Sequence, residues 1–173
     1  VKGTALQWLR SYLCGRNQQI SIDGVLSALM ELSIGVPQGS VLGPLKFCTY
    51  TILLGAILRF HGIEYHIYAD DTQFYIRFDV NNPLPALEKI SLAIRDIRSW
   101  MIRNRLKIND DKTEFLVVTT PIMANKIGDL SLQIGSCTIK PSTTARNIGV
   151  MFDSYMSMQT HVSQICSAVS FHL

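Results

Sequence analysis

Two adjacent carboxylates, Asp70 and Asp71, interrupt two runs of alternating apolar residues, and this constrains the chain more than any other feature. Tyr65 and Ile67 alternate before them, and Phe74, Ile76 and Phe78 alternate after them, the period of a half-buried strand. The link is so short that 64–78 is predicted to be strand, turn, strand. Asp70 and Asp71 then lie at a hairpin tip, where a held backbone leaves side chains free to reach a cleft. Neighbouring Asp side chains repel each other. A divalent cation is their natural counterion, and a pair of such cations serves phosphoryl transfer at a nucleic-acid end. An exposed turn is the plainer reading of an Asp-Asp pair, and both stand at this point.

The 173 residues suit one domain and can bury roughly two-thirds of the unfolded surface. An apolar share of 47% against 17% charged excludes a disordered chain. The net charge of +3 is mild, but its distribution is uneven. Lys89, Arg95, Arg98, Arg103, Arg105, Lys107 and Lys112 share one short stretch with Asp96, Asp110 and Asp111, which is either a phosphate-tracking segment or a solvated helix face. Cys14, Cys48, Cys137 and Cys166 are widely spaced and make no Cys-x-x-Cys or zinc-ligand pattern; they read as buried or free thiols of a reducing compartment. The start lacks an initiator Met and a signal-peptide pattern, and the end stops in an apolar helical pattern without a cap. The expectation is a piece of a longer intracellular protein, nuclear or cytoplasmic.

Leu6, Leu9 and Leu13 predict an amphipathic helix over 5–13 that Gly15 could end. The stretches 18–23 and 29–33 read as two strands joined by a short loop. Gly35-Val36-Pro37-Gln38-Gly39-Ser40 is too rich in Gly and Pro for helix or regular strand. The apolar stretch 41–60 reads as a buried helix with Pro44 in its first turn, in preference to a membrane span, because Pro44, Lys46 and Arg59 lie within it. Pro83 and Pro85 open a helix with Leu87, Ile90, Ile94, Ile97 and Met101 on one face. Further on, 115–119 reads as a strand, 130–139 as a hairpin around Gly135-Ser136, 147–152 as a strand, and Met156 onward as a helix. Helices mixed with antiparallel hairpins give an α+β class.

Several motifs now stand in a fixed order. Gly35-Val36-Pro37-Gln38-Gly39-Ser40-Val41-Leu42-Gly43-Pro44 comes first, then Tyr68-Ala69-Asp70-Asp71-Thr72-Gln73. Asn104-Arg105-Leu106-Lys107-Ile108-Asn109 and Asp111-Lys112-Thr113-Glu114 follow, then Asn147-Ile148-Gly149-Val150. With Ala5-Leu6-Gln7-Trp8-Leu9-Arg10-Ser11-Tyr12-Leu13 before them, they span almost the whole chain, which resembles the reverse transcriptase of non-LTR (LINE-type, jockey-like) retrotransposons. The resemblance implies an α+β polymerase palm with an antiparallel sheet and packed helices, incomplete at both ends. It implies a palm over 1–146 and a primer-grip hairpin with the start of the thumb over 147–173.

By the same resemblance, Asp70 and Asp71 are catalytic metal ligands for two Mg²⁺ ions, and Lys112 lies near the nucleotide phosphates. Pro37, Gln38, Gly39, Tyr68 and Ala69 meet template, nucleotide or primer terminus. Ile148, Gly149 and Val150 grip the primer. The implied partners are an RNA template, a DNA primer and deoxynucleoside triphosphates, with no membrane; the oligomeric state is left open. Residue by residue the plainer readings stay beside these: a packed aromatic for Tyr68, a solvated turn lysine for Lys112, strand packing for most of the 148–150 side chains, with Gly149 as the close-approach point. The family's third aspartate precedes the segment that begins here, so the resemblance implies an incomplete site. Lys46 and Leu54 depart from the family's usual apolar residue and proline. The alternative is a non-catalytic remnant that at most binds nucleic acid through its basic stretch.

Overall fold

In the computed structural model the described residues are 1–37, 39–134 and 137–172. They divide into two compact units, the first comprising Val1–Leu53 with Ile67–Thr72 and the second Leu54–His66 with Gln73–Leu173.

The first unit opens with α1 (Gly3–Leu13), where Trp8 and Tyr12 stack one turn apart at 5.5 Å. Gly15, at φ +65°, takes the left-handed turn that follows. The chain then forms two nested antiparallel pairs. Outer β1 (Arg16–Gln18) pairs with β4 (Met30–Leu32), and inner β2 (Ser21–Ile22) pairs with β3 (Val25–Leu26). The two strands expected here are thus four short ones, because Asp23-Gly24 turns tightly with both residues at positive φ. The glycine-rich loop leads into α2 (Gly43–Phe60), with Pro44 in its first turn as predicted. Its burial is partial. Leu54 and Leu58 are buried, whereas Leu45, Ile52 and Leu53 face solvent. Among the described residues no helix is long and apolar enough to cross a membrane.

The end of α2 shows how sequence sets a turn. Gly62 at φ +58° reverses the chain, Gly62 N–H donates to Arg59 O, and Ile63 N–H reaches back to Leu58 O at 3.0 Å. Both Leu58 and Ile63 are buried, so the reversal satisfies carbonyls and closes an apolar contact together. From there β5 (Glu64–Tyr68) and β6 (Asp71–Tyr75) pair around a two-residue turn.

In the second unit α3 (Leu84–Arg103) buries Ile90, Ala93, Ile94 and Ile97, the stripe its periodicity predicts. It packs against β7 (Leu132–Ile134), which pairs with β8 (Cys137–Ile139) and buries Leu132 and Ile134. The connecting Gly135-Ser136 lies outside the described residues. Arg105, at φ +55°, ends α3 where glycine is usual; Leu106 N–H bonds to Met101 O at 2.8 Å and Arg105 N–H to Ile102 O. A short helix α4 (Pro121–Ala124) is capped by Thr120. The closing elements are the hairpin β9 (Thr144–Asn147) and β10 (Val150–Asp153), then α5 (Gln159–His172), which packs on β10.

Two strand expectations fail. The 115–119 stretch makes only an isolated bridge from Leu116 to Ser142, so its β-branched residues find no continuous partner. The run 147–152 is not one strand: Asn147 pairs directly with Val150, and Ile148-Gly149 between them forms the turn. The fold is α+β, with strands in separate two-stranded pairs among the described residues.

Candidate active site

Ala69 and Asp70 form the turn between β5 and β6, and Asp71 is the first residue of β6. Ala69 has φ +54° and Asp70 does not share the positive φ. That is the φ pattern of a type II′ hairpin turn, whose first position favours glycine. An alanine there carries backbone strain, which proteins tend to hold at functional positions. Asp70 and Asp71 are exposed, and no described residue forms a hydrogen bond or ion pair with either carboxylate. Tyr68 is 64% exposed, so it is not packed into the sheet.

Two adjacent, unpaired carboxylates offer hard oxygen donors, the chemistry preferred by small divalent cations that keep several waters and take further ligands from phosphates. Among the described residues no group of three or more His, Cys, Asp or Glu side chains could hold a metal. The residues therefore fit such a cation as a partial donor set that needs oxygens from elsewhere.

The glycine-rich loop belongs to the same unit as the hairpin tip. Pro37 is half-buried, Gly39 is exposed at φ +76°, and Gln38 lies outside the described residues. Side chains from α1 and β1 anchor this loop at both ends. Arg16 donates from its guanidinium to Leu13 O and to Gly35 O, the latter at 2.6 Å. Tyr12 Oη lies 2.5 Å from Ser40 Oγ, and Ser40 Oγ donates to Pro37 O at 2.6 Å. Gly43 gives the loop's exit room, because a Cβ there would stand 3.0 Å from Ser40 Oγ and 3.4 Å from Pro37 O and would press on the Ser40 hydroxyl.

Lys112 and the Ile148-Gly149-Val150 turn belong to the second unit. Lys112 ends a single 3₁₀ turn over Asp110–Lys112, and its exposed amine has no partner among the described residues. Ile148 (φ +46°) and Gly149 (φ +83°) occupy a two-residue turn with positive φ at both positions, the type I′ arrangement. A β-branched residue in that region is a true outlier, and Ile148 is 53% exposed. Val150 is half-buried in β10. Arg146 N–H donates to Glu114 Oε2 at 3.0 Å, and Met151 N–H lies 3.4 Å from His161 Nδ1. Side-chain acceptors thus satisfy an outward amide on each strand of the hairpin.

Sequence reasoning gave no anchoring role to Tyr12, Arg16, Ser40, Arg98, Asp110 or Glu114. Their partners are set by tertiary approach; the local signals were motif membership for Tyr12, Ser40 and Glu114 and the charged stretch for Arg98 and Asp110.

Comparison with known proteins agrees with the family that the motifs resemble. The reverse transcriptase (RNA-dependent DNA polymerase) family model matches residues 2–152. Similar curated proteins include the probable RNA-directed DNA polymerases from transposon BS, 26% identical over 89% of this chain, and from transposon X-element, 25% identical over 91%, both of Drosophila melanogaster. The RNA-directed DNA polymerase from mobile element jockey of the same species is 22% identical over 92% of the chain. The chain spans 17% of the length of each of these relatives. No solved structure matches it. By its motifs and by that match, the chain belongs to the reverse transcriptase family.

Proposed function

We propose that this chain is the palm, over 1–146, with a primer-grip hairpin and the start of the thumb, over 147–173, of an RNA-directed DNA polymerase of a non-LTR retrotransposon. The observation that carries this reading is the strained hairpin tip that presents the unpaired Asp70 and Asp71, in a chain of the reverse transcriptase family.

Asp70 and Asp71 would hold Mg²⁺, with remaining ligands from water and nucleotide phosphates. Bound there, the metal would activate a primer 3′-hydroxyl and stabilise departing pyrophosphate. The protein's own groups do the rest. Pro37, Gln38 and Gly39 form the floor under template base and incoming nucleotide; glycine lets that backbone approach closely because no Cβ intervenes. Tyr68 and Ala69 lie against the primer terminus, and Ile148, Gly149 and Val150 grip the primer. Lys112 places a cation beside the nucleotide phosphates, where positive charge offsets the charge developing on the leaving group. Exposed Arg103, Arg105 and Lys107 extend the positive charge toward a nucleic-acid backbone.

The substrates are an RNA template, a DNA primer and deoxynucleoside triphosphates, in the nucleus or cytoplasm. Two carboxylates alone do not complete a two-metal site, so the 173-residue chain by itself is expected not to extend a primer. The direct test replaces the matching segment of the jockey polymerase with this chain. RNA-templated primer extension by the chimera, abolished by Asp70→Ala, is the expected result. A folded chimera that binds template and primer and does not extend would contradict the reading.

A further inference from the structure

The Lys112 amine has no partner among the described residues, yet both flanks of the residue are tied down. On one side Asp110 is bound by Arg98 of α3 through an ion pair and hydrogen bond. On the other, Glu114 accepts the Arg146 amide of β9 at 3.0 Å, and Phe115 O accepts Ser142 N–H at 2.7 Å. Inside the turn, Lys112 N–H bonds to Asn109 O and Thr113 Oγ1 to Asn109 O. All these residues lie within the second unit.

The Arg98–Asp110 pair is poorly explained by stability. The Arg98 and Asp110 side chains are 28% and 35% exposed, and pairs of partial exposure contribute little net stability once desolvation is counted. Arg98 Nε is buried and has no hydrogen-bond partner among the described residues, which makes the desolvation worse. What the pair does achieve is geometric. It fixes one end of a three-residue turn to a helix whose apolar stripe is buried in the core, and Glu114 fixes the other end to the hairpin.

We propose that Arg98, through Asp110, and Glu114 are positioning residues that hold the Lys112 amine at a fixed place for a nucleotide's phosphates. The inference rests on the reading of Lys112 given above, and the two fail separately. Arg98 and Glu114 touch no substrate; they limit the volume the Lys112 amine samples, so a phosphate meets it without first ordering the turn.

The experiment uses the ¹⁵N-labelled 173-residue chain, with magnesium–dATP as probe. In the parent chain the amides of 110–114 are expected to show the heteronuclear NOE of a rigid helix. Arg98→Met should lower it there and leave α3 and β9–β10 unchanged. Arg98→Lys should retain it in part, and Arg98→Asp combined with Asp110→Arg should restore it, a rescue that loss of general stability would not give. Glu114→Ala should loosen 113–115 while leaving the Arg98 side in place. Magnesium–dATP should shift the Lys112 amide, and Arg98→Met should weaken that binding about tenfold. Unchanged order in both Arg98→Met and Glu114→Ala overturns the positioning inference. Binding that is insensitive to Lys112→Ala, with the turn still ordered as described, overturns instead the phosphate reading of Lys112.

Discussion

Every buried apolar side chain among the described residues, from Leu54 and Leu58 through Ile63, the α3 stripe, Leu130, Leu132 and Ile134, belongs to the second unit. The first unit carries the glycine-rich loop and the Asp70–Asp71 tip, and its α1 buries no residue at all. Leu6, Trp8, Ile20, Ile22, Leu29 and Met30 there are exposed. Its loop is held by hydrogen bonds from Tyr12, Arg16 and Ser40, with Val36 and Pro37 only half-buried. Apolar burial contributes about 25 cal/mol per Å², whereas a hydrogen bond nets about 1 kcal/mol. The stable part of the fold and the proposed catalytic carboxylates are therefore in different hands. Local opening should be easier in the unit that bears them, a common property of binding regions.

Truncation should expose that contrast most strongly. Leu58→Ala empties a fully buried site and should lower stability by about 2–5 kcal/mol. Leu6→Ala, on an exposed face, should stay within about 0.5 kcal/mol. Equal losses in denaturant melts of the two variants would erase the comparison.

Gly55→Ala comes next. A Cβ at Gly55 would lie 2.7 Å from Tyr65 Cζ, and Tyr65 cannot swing away freely because Arg59 donates to its hydroxyl and stacks 5.7 Å from its ring centroid. Overpacking of this kind should destabilise by about 1–3 kcal/mol, measured by thermal unfolding.

The two strained tips sharpen the comparison further. Ala69 in the first unit and Ile148 in the second both hold positive φ without being glycine. Ile148→Asn suits a type I′ turn and should raise stability by about 1 kcal/mol by removing the left-handed penalty on a β-branched residue. A melt showing destabilisation would mean that Ile148 is held by contacts rather than strained.

The smallest expected effect is pH-dependent. The hydrogen bond from His61, 2.8 Å away, holds the Asp96 carboxyl below the usual range; burial opposes this, and Arg95 adds to it. A lowered folded-state value stabilises above the unfolded carboxylate pKa of about 3.9 and is lost as pH falls through the folded one. Acid titration of stability should be shallower in Asp96→Asn below about pH 4. An identical slope would remove the pair from the account. Asp153 titrates in the same direction, held low first by the Ser157 amide and also by the Ser157 hydroxyl and the Tyr155 and Met158 amides, against burial.

Particular residues show why the sequence was readable in some places and not in others. The α3 stripe was legible because its apolar period matches 3.6 residues and its buried face is continuous. The β5–β6 hairpin was legible because apolar residues alternate on both sides of the Asp pair, although the turn falls on Ala69-Asp70, one residue earlier than the Asp70-Asp71 tip expected, and Asp71 opens β6. The β9–β10 turn was hidden from the residue pattern, because Ile148 has a strand former's side chain and adopts a turn backbone; Gly149 and the family resemblance pointed to a hairpin there. The 115–119 stretch misled because β-branched residues favour extended backbone but pairing needs a neighbour that sequence does not name. The adjacency of Asp70 and Asp71 marked them as a candidate cation site, and family resemblance made them a catalytic pair and added Lys112. The anchors around them, Arg16 on Gly35 and Arg98 on Asp110, come from tertiary approach.

The central claim is that the Asp70–Asp71 tip is a cation site, and paramagnetic NMR tests it most directly. Mn²⁺ added to the ¹⁵N-labelled chain should broaden the amides of 69–72 first. Mg²⁺ should compete the broadening away, and Asp70→Asn with Asp71→Asn should abolish it while the rest of the spectrum stays put. Broadening spread over surface carboxylates such as Asp129 and Asp23, or broadening at 69–72 that survives both substitutions, would contradict it.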